Sequence, residues 1–385
     1  MKELYSNWKT GFRILLLMVL SACSPFGGEE TVTANLIGSA ERSVGFQRAE
    51  AGQALEFPAD FGPHPDFQTE WWYYTGNLGT ESGRRFGYQL TFFRRALVPQ
   101  QAKVERSSSW AADQVYMAHF ALSDISGGEH YSAERFSRGS IGLAGAAAEP
   151  YEVWLEDWRV HEQTPGVYGL SAGQDGIVLD LILRDDKGPI LHGEMGYSQK
   201  GARPGNASYY YSQTRLVSSG EIQVADEVFE VAGSSWKDHE YSTSALSPGQ
   251  VGWDWFSIQL DDGFDLMVFQ IRRADGSIDP YSSGTFVAPD GKTHPLGVND
   301  FEIRVNETWR SPDTGAVYPA EWTILVQDYE LELLVVPLIA DQEMDVSYIY
   351  WEGAVGVQGQ REGNPVAGDG YVELTGYAES MEGEF

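Results

Sequence analysis

Apolar and polar residues alternate over short runs along most of the chain, and clusters of Gly, Asp and Ser separate these runs. A period of two is typical of β-strands with one buried face, whereas a helix repeats every 3.6 residues. Weak helical patterns occur only at residues 132–136 and 207–214. Many short strands with regular turns are typical of a sandwich or a barrel. We predict strands at residues 116–123, 151–160, 177–184, 207–216, 221–224, 251–260, 264–272, 284–288, 301–305, 322–326, 331–336, 350–358 and 370–377.

Two long aromatic hairpins have the same design. The first joins residues 71–78 to residues 86–94, and the second joins residues 253–260 to residues 264–272 through Asp261-Asp262-Gly263. Asp-Gly between two β-type runs is a strong hairpin signal. The repeat predicts a duplicated β domain, and a chain of 385 residues is long enough for two cores. We therefore assign residues 53–230 to one β domain and residues 231–385 to a second.

The N-terminus has the pattern of an export signal. Basic residues precede an apolar run at residues 14–20, which is too short to span a bilayer. The run leads into Leu20-Ser21-Ala22-Cys23, which resembles the bacterial lipobox, in which the cysteine is diacylated and becomes the mature N-terminus. We predict a lipoprotein signal peptide over residues 1–22 and a lipid on Cys23. The alternative is a cleaved signal on a soluble exported protein.

The cysteine count and the next residues extend this prediction. Cys23 is the only cysteine, so no intramolecular disulfide can form and lipidation is the more economical role for its thiol. Ser24 stands where an Asp would retain a lipoprotein at the inner membrane, so the lipobox resemblance implies the outer membrane of a Gram-negative cell, facing the periplasm. Residues 23–52, rich in Gly, Ser, Thr and Ala, are predicted to be a flexible tether.

Charge and motif content exclude several function classes. The formal net charge of −30 argues against a nucleic-acid partner, because phosphate binding requires clustered Lys and Arg. The chain has no Gly-rich phosphate loop, dinucleotide fingerprint or Gly-x-Ser-x-Gly nucleophile elbow. Its seven histidines are dispersed without the spacing of a metal triad. We therefore predict no metal, no cofactor and no nucleic acid.

The most polar segment among the aromatic strands is residues 236–241. In an extended strand Asp238 shares one face with Trp236, whereas His239 and Tyr241 lie on the other. Burial beside an indole raises the pKa of a carboxyl group and produces a general acid that is protonated near neutral pH. His239 and Tyr241 are candidates for a base or a hydrogen-bond donor. The alternative is an interdomain strand whose Asp and His satisfy backbone groups.

Two further polar residues lie in apolar strands. Glu70 precedes two tryptophans, and a buried acid in such a place requires a partner or a function. Arg94 or Lys237 would serve as that partner. His119 is flanked by apolar residues, where a lone histidine is more often a core residue with satisfied hydrogen bonds.

Five ordered motifs resemble the family of AttH and carotenoid 1,2-hydratase (hydroxyneurosporene synthase). The resemblance covers nearly all of residues 57–377 and implies an all-β fold of two tandem lipocalin-like (calycin) β-barrels packed together. It also implies an apolar ligand pocket at or near the junction of the barrels. The motifs are Glu70-Trp71-Trp72-Tyr73, Ala118-His119-Phe120-Ala121, Tyr209-Tyr210-Tyr211-Ser212, Trp236-Lys237-Asp238-His239-Glu240-Tyr241 and Tyr350-Trp351-Glu352-Gly353-Ala354-Val355.

The resemblance also implies a reaction and its site. Asp238 would protonate an alkene, aromatic faces would stabilise the carbocation, and His239 or Tyr241 would position the attacking water. Glu70 completes the predicted catalytic set. The side chains expected to contact the ligand are Trp71, Trp72, Tyr73, His119, Tyr211, Trp236, Trp253 and Trp255.

The leading functional prediction is an envelope lipoprotein that binds a hydrophobic isoprenoid- or lipid-like molecule and hydrates it as a hydro-lyase. The lipobox sets the chain apart from the carotenoid enzymes, which act inside the cell. The main alternative is a non-catalytic accessory lipoprotein of an envelope ABC-type transporter, with a permease as partner and lipid or lipoprotein as cargo. A third hypothesis is a glycan-binding protein whose exposed tryptophans stack on sugars. The sequence leaves open whether the barrels are hollow or filled.

Overall fold

A computed structural model of the protein describes residues 43–104, 107–244 and 246–382. The predicted signal peptide, the lipidation site Cys23 and most of the predicted tether lie outside the described residues. The described residues all belong to one compact unit. In the described part of this unit, no helix is long and apolar enough to cross a bilayer.

The first half of the unit forms one antiparallel sheet of thirteen strands. Alternation of buried and exposed residues is clearest in Ile177–Asp185, as expected for a strand with one face on a core. The strands are β1 (Thr69–Gly79), β2 (Arg85–Ala96), β3 (Gln114–Asp124), β4 (Glu129–Arg138), β5 (Ala144–Ala148), β6 (Tyr151–Leu155), β7 (Trp158–Thr164), β8 (Val167–Gln174), β9 (Ile177–Asp185), β10 (Ile190–Leu191), β11 (Tyr197–Gln199), β12 (Ala207–Val224) and β13 (Glu227–Ser242).

The second half forms a separate antiparallel sheet of ten strands. Short 3₁₀ helices at Ala59–Phe61, Gln100–Ala102 and Gln327–Tyr329 are the helical elements of the described residues. The strands are β14 (Gln250–Leu260), β15 (Asp265–Arg273), β16 (Ser283–Val287), β17 (Thr293–Gly297), β18 (Phe301–Arg310), β19 (Val317–Val326), β20 (Leu331–Pro337), β21 (Glu343–Asp345), β22 (Ile349–Arg361) and β23 (Asn364–Leu374).

The two sheets share one strand order. The first runs β4-β3-β2-β1-β13-β12-β9-β8-β7 before adding β6 and β5, and the second runs β17-β16-β15-β14-β23-β22-β20-β19-β18. In each sheet the first strand pairs with both the second and the last strand, so both sheets curl into barrel-like halves. The prediction of an all-β fold with two barrels in tandem is confirmed, and the shared order supports the duplication that the aromatic hairpins predict.

Two details of the sequence-based assignment differ from the structure. Both segments with weak helical patterns lie in strands, β4 and β12, because backbone pairing with neighbouring strands outweighs a weak local preference. The chain leaves the first sheet after Ser242 and enters the second at Gln250, whereas the predicted boundary at residue 230 lies within β13. Because β13 pairs with β1, it belongs to the first barrel.

Both barrel interiors are filled. Trp72 and Trp158 are fully buried in the core of the first barrel, and Trp322 occupies the core of the second. A third cluster joins the two halves and contains Tyr73, Tyr210, Trp236, Trp255 and Phe269. Side chains of this size fill a small barrel, so the space for a ligand lies at the junction.

Candidate functional site

A cavity of about 150 Å³ lies between the two sheets. Its aromatic wall includes Trp71 and Tyr73 from β1 and Trp253 and Trp255 from β14. Further aromatic side chains that line it are Phe93, Tyr210, Phe269, Tyr348 and Tyr350. An apolar cavity with a few polar groups is typical of a small-molecule site.

Asp238 is held at this cavity by hydrogen bonds. The Tyr210 hydroxyl donates to Asp238 Oδ2 (2.5 Å), while Trp236 Nε1 (2.6 Å) and the Ser212 hydroxyl donate to Oδ1. Burial raises the pKa of Asp238 to about 7, and the three donors oppose this shift. In the described part of the chain, no basic side chain forms an ion pair with Asp238. The carboxyl group is therefore oriented and available in its acid form near neutral pH.

A second carboxyl group faces the same cavity from the other barrel. Glu373 is half-buried on β23, and Trp253 Nε1 donates a hydrogen bond to its Oε2 (2.7 Å). Burial raises the pKa of Glu373 to about 7, and the nearby carboxyl groups of Asp238 and Glu240 add to the effect. The two carboxyl groups from different barrels therefore influence each other electrostatically through one cavity.

Two other acids complete the polar surroundings. Glu240 lies 3.4 Å from Lys200 Nζ, and both line the cavity. Glu352 is fully buried on β22, and burial raises its pKa well above the usual range. His119, which also lines the cavity, bonds to the Tyr350 hydroxyl (2.8 Å) and to Glu134 (3.0 Å).

The opposite face of β1 and β13 carries a different network. Arg94 Nε donates to Glu70 Oε2 (2.8 Å), and both side chains are fully buried. His64 Nδ1 (2.8 Å) and His239 Nε2 (2.9 Å) both contact Glu70 Oε1. His64 Nε2 contacts Asp60 (2.7 Å). This network attaches the segment before β1 to the sheet. Of the two partners predicted for Glu70, Arg94 and Lys237, the structure shows Arg94.

Ionisation within this network is set by charge pairing. Burial opposes ionisation of Glu70, yet Arg94 and His64 hold its pKa well below the usual range. Burial likewise opposes a charge on His64, yet its two carboxylate partners raise its pKa. Burial lowers the pKa of His239 to about 4 and outweighs the effect of the hydrogen bond that His239 donates to Glu70, so this imidazole is neutral. The network therefore centres on the Glu70 carboxylate, which Arg94 and His64 stabilise.

Replacing His64 by glutamine is expected to lower the free energy of unfolding by about 1–3 kcal/mol near pH ~5.5, and by less near pH ~8. The raised pKa of His64 makes its contribution complete below 6.5, and the contribution is lost as the pH rises through the folded pKa. The lowered pKa of Glu70 makes its contribution complete above 4.5, and that contribution is lost as the pH falls. Urea unfolding of both proteins at several pH values measures the difference; a difference that does not change with pH would contradict this assignment.

His64, Glu70 and His239 are the group among the described residues that most resembles a metal site. Ligand atoms of His64, Glu70 and His239 lie within 4.8 Å of one another. Each imidazole nitrogen already has an oxygen partner, including the Tyr211 hydroxyl on His239 Nδ1 (2.9 Å). Because Arg94 also neutralises Glu70, the residues fit a hydrogen-bonded charge network better than a divalent metal.

Lys237 lies on this same face, inside the first barrel. Its ammonium group is fully buried and has no hydrogen-bond acceptor among the described residues. Burial lowers its pKa to about 7. Its Nζ lies 4.4–5.8 Å from the centroids of five aromatic rings, which belong to Phe61, Tyr74, Tyr151, Tyr168 and Tyr211.

The structure therefore divides the predicted catalytic set between two faces of one sheet. Asp238 faces the cavity, whereas Glu70, His239 and Tyr241 face the network around His64. The expectation that His239 or Tyr241 positions water beside Asp238 is therefore wrong. The physical reason is the alternation of side chains along β13, which puts residues 237, 239 and 241 on the far side of the sheet.

The predicted ligand contacts divide in the same way. Those that line the cavity are Trp71, Tyr73, His119, Trp253 and Trp255. Trp236 does not line it but holds Asp238 from behind. Trp72 lies in the core of the first barrel, and Tyr211 bonds to His239 on the far face, so these two predicted contacts are not at the cavity.

The sequence reasoning missed several cavity residues. The sequence assigns no ligand role to Tyr210, Glu240 or Glu373, although all three line the cavity. A signal for Glu373 was present, because it is a lone acid between Val372 and Leu374, the same pattern that drew attention to Glu70. Its position opposite Asp238 depends on the packing of the two barrels.

Comparisons with known proteins agree with this architecture. A family model described as AttH-like matches residues 48–377. The chain is similar to the crystal structure of a Nitrosomonas europaea protein designated AttH, with 40% sequence identity and a TM-score of 0.77 over 86% of this chain and 99% of that chain. Kievitone hydratase from Nectria haematococca is similar in fold, with 14% identity and a TM-score of 0.66 over 87% of this chain and 96% of that chain. No curated protein sequence matches this chain.

Proposed function

Because this chain belongs to the AttH-like family, we propose that the cavity between its barrels binds an apolar alkene and adds water to it, with Asp238 as proton donor. The AttH-like match over residues 48–377 confirms the family resemblance of the five sequence motifs. The observation that carries the proposal is the placement of Asp238: an oriented carboxyl group at an aromatic cavity, without a basic partner among the described residues. A structural carboxylate buried in this way would be expected to have such a partner.

The reaction follows from these groups. The protonated Asp238 carboxyl transfers its proton to one alkene carbon, a C–H bond forms, and the second carbon becomes a carbocation. The π faces of the cavity tryptophans and tyrosines stabilise that positive charge. Water then adds to the cation, and the proton it loses passes to Asp238 or Glu373. The net change is addition of one water molecule to the double bond.

The size of the cavity limits the part of a substrate that it can enclose. An engineered cavity of roughly 150 Å³ holds one benzene ring, and the cavity between the barrels has a similar volume, about 150 Å³. It therefore fits a five-carbon isoprenoid terminus or another short branched alkene. A long polyene or lipid would insert only its end, so we propose a substrate that carries a terminal isoprenoid-like double bond.

The hydratase among the structural relatives supports a direct test. Kievitone hydratase shares only the fold at 14% identity, so its substrate is a probe here and not an assignment. The purified lipoprotein, reconstituted in nanodiscs, is incubated with kievitone or geraniol in H₂¹⁸O, and the products are analysed by mass spectrometry. We expect a product heavier by one ¹⁸O-labelled water. Binding of both alkenes without any labelled product would overturn the hydratase proposal in favour of the non-catalytic accessory lipoprotein.

We also propose that the protein is anchored to the outer membrane through Cys23, on the basis of its lipobox-like sequence. A Cys23→Ser variant is expected to lose incorporation of radiolabelled palmitate and to leave the outer-membrane fraction, because stable anchoring requires more than one acyl chain. Ser21→Thr at a neighbouring lipobox position serves as the control that retains the thiol. Palmitate labelling of the Cys23→Ser variant at the wild-type level would exclude this anchor.

A further inference from the structure

The charges around the cavity are unbalanced. Asp238, Glu240 and Glu373 all line it, and Lys200 is the one Lys or Arg side chain that does so in the described part of the protein. Lys200 is already paired with Glu240 at 3.4 Å. Asp238 and Glu373 thus face an apolar space without a cationic partner. Carboxyl groups in such surroundings favour the entry of a positive charge, because a cation stabilises their ionised form.

The aromatic wall already holds one ammonium group. Lys200 Nζ lies 4.0 Å from the centroid of the Phe269 ring and 5.1 Å from that of Tyr210. The neighbouring tryptophans Trp71, Trp253 and Trp255 face the same space, and indole is the ring that cations prefer. The cavity therefore combines the two features that recognise organic cations, which are aromatic faces and a carboxylate.

Glu373 is the better counter-ion of the two unpaired carboxyl groups. Three donors occupy the two oxygens of Asp238. Trp253, by contrast, is the single hydrogen-bond donor to Glu373 among the described residues, and it uses Oε2. Because the Glu373 side chain is only half-buried, its other oxygen can approach a ligand.

We propose that this cavity binds a lipophilic monocation, an ammonium or similar onium group on an apolar molecule, with Glu373 as its counter-ion. The inference rests on the proposed function in taking the cavity as the ligand site, but it does not require turnover. The two ideas share one physical basis, since an onium group carries the same single positive charge as the tertiary carbocation formed during hydration. The site would accordingly accept amine-bearing apolar ligands as well as alkenes.

The test compares two probes of the same shape. Phenyltrimethylammonium and tert-butylbenzene differ by one charged nitrogen in place of carbon. Their binding to residues 37–385 is followed by tryptophan fluorescence. This unit contains both barrels. The related crystallised chain aligns with 86% of this chain over 99% of its own length, so a chain of this extent folds. We expect the ammonium probe to bind at least ~10-fold more tightly than the neutral probe. Equal affinities, tighter binding of the neutral probe, or no binding of either would overturn the proposal.

Two variants assign the effect to Glu373. Glu373→Gln is expected to reduce the preference for the ammonium probe at least ~5-fold while the affinity for tert-butylbenzene, which also reports correct folding, is unchanged. Glu221→Gln removes the same charge from an exposed position on β12 and controls for general attraction by a chain of net charge −30. An equal effect of both variants would overturn the role of Glu373. Ammonium binding without alkene turnover would refute only the hydratase, and turnover without ammonium preference would refute only this inference.

Discussion

Replacing Arg94 by methionine is expected to lower the free energy of unfolding by about 3–5 kcal/mol. The side chains of Arg94 and Glu70 are both fully buried, so removal of the guanidinium leaves a carboxylate in the protein interior without its main partner. The substitution also removes the donor to the backbone carbonyls of His64 and Phe67. Urea unfolding, followed by tryptophan fluorescence, measures the loss.

A double variant and an exposed pair make this prediction specific. Glu70→Gln combined with Arg94→Met removes both charges and is expected to recover part of the lost stability. Arg184, whose ion pair with Asp186 is exposed, provides the matched control: Arg184→Met is expected to leave the free energy of unfolding essentially unchanged. Equal losses of unfolding free energy for Arg94→Met and Arg184→Met would show that burial of the Glu70–Arg94 pair does not add to its contribution to stability.

The Asp238→Asn variant is expected to lower the rate of water addition by about 100- to 10,000-fold while the alkene still binds. Asparagine keeps the size of the side chain, and its Oδ1 can still accept the hydrogen bond from Trp236 while its Nδ2 donates to the Tyr210 hydroxyl, but it has no acidic proton to transfer. The measurement is the rate of ¹⁸O incorporation at saturating alkene, with binding followed separately by fluorescence. Turnover that is unaffected by the substitution would exclude Asp238 as the proton donor.

The dependence on pH gives an independent test of the same residue. The pKa of Asp238 is raised to about 7 by burial, so the acid form is present below this value and is lost above it. The wild-type rate is therefore expected to fall about tenfold for each pH unit above neutrality. Glu352→Gln is the control, because Glu352 is a buried acid on β22 that does not line the cavity, and its substitution should leave the pH profile unchanged. An increase in rate above pH ~7 would identify a carboxylate base instead of an acid.

Much of the fold could be predicted because its signals are local. Period-two alternation and the repeated aromatic hairpin indicate two β domains, and the two sheets do share one strand order. The same alternation predicts that Asp238 and Trp236 face one side of β13 and His239 the other, as the structure has them. Cross-strand neighbours were also accessible, since Glu70 pairs with Arg94 across one hairpin.

The sequence by itself therefore determined the fold class, the family and the faces of individual strands, because each depends on residues that are close together in the chain. Only the tertiary structure decided which faces meet. Packing of the two barrels brings Glu373 to the cavity of Asp238, and folding of the segment before β1 brings His64 to Glu70 and His239. Glu373 and Asp238 are far apart in the chain, as are His64 and His239, and His64 reaches Glu70 through an irregular segment outside the strands. Alternation along one strand gives no information about what packs against it.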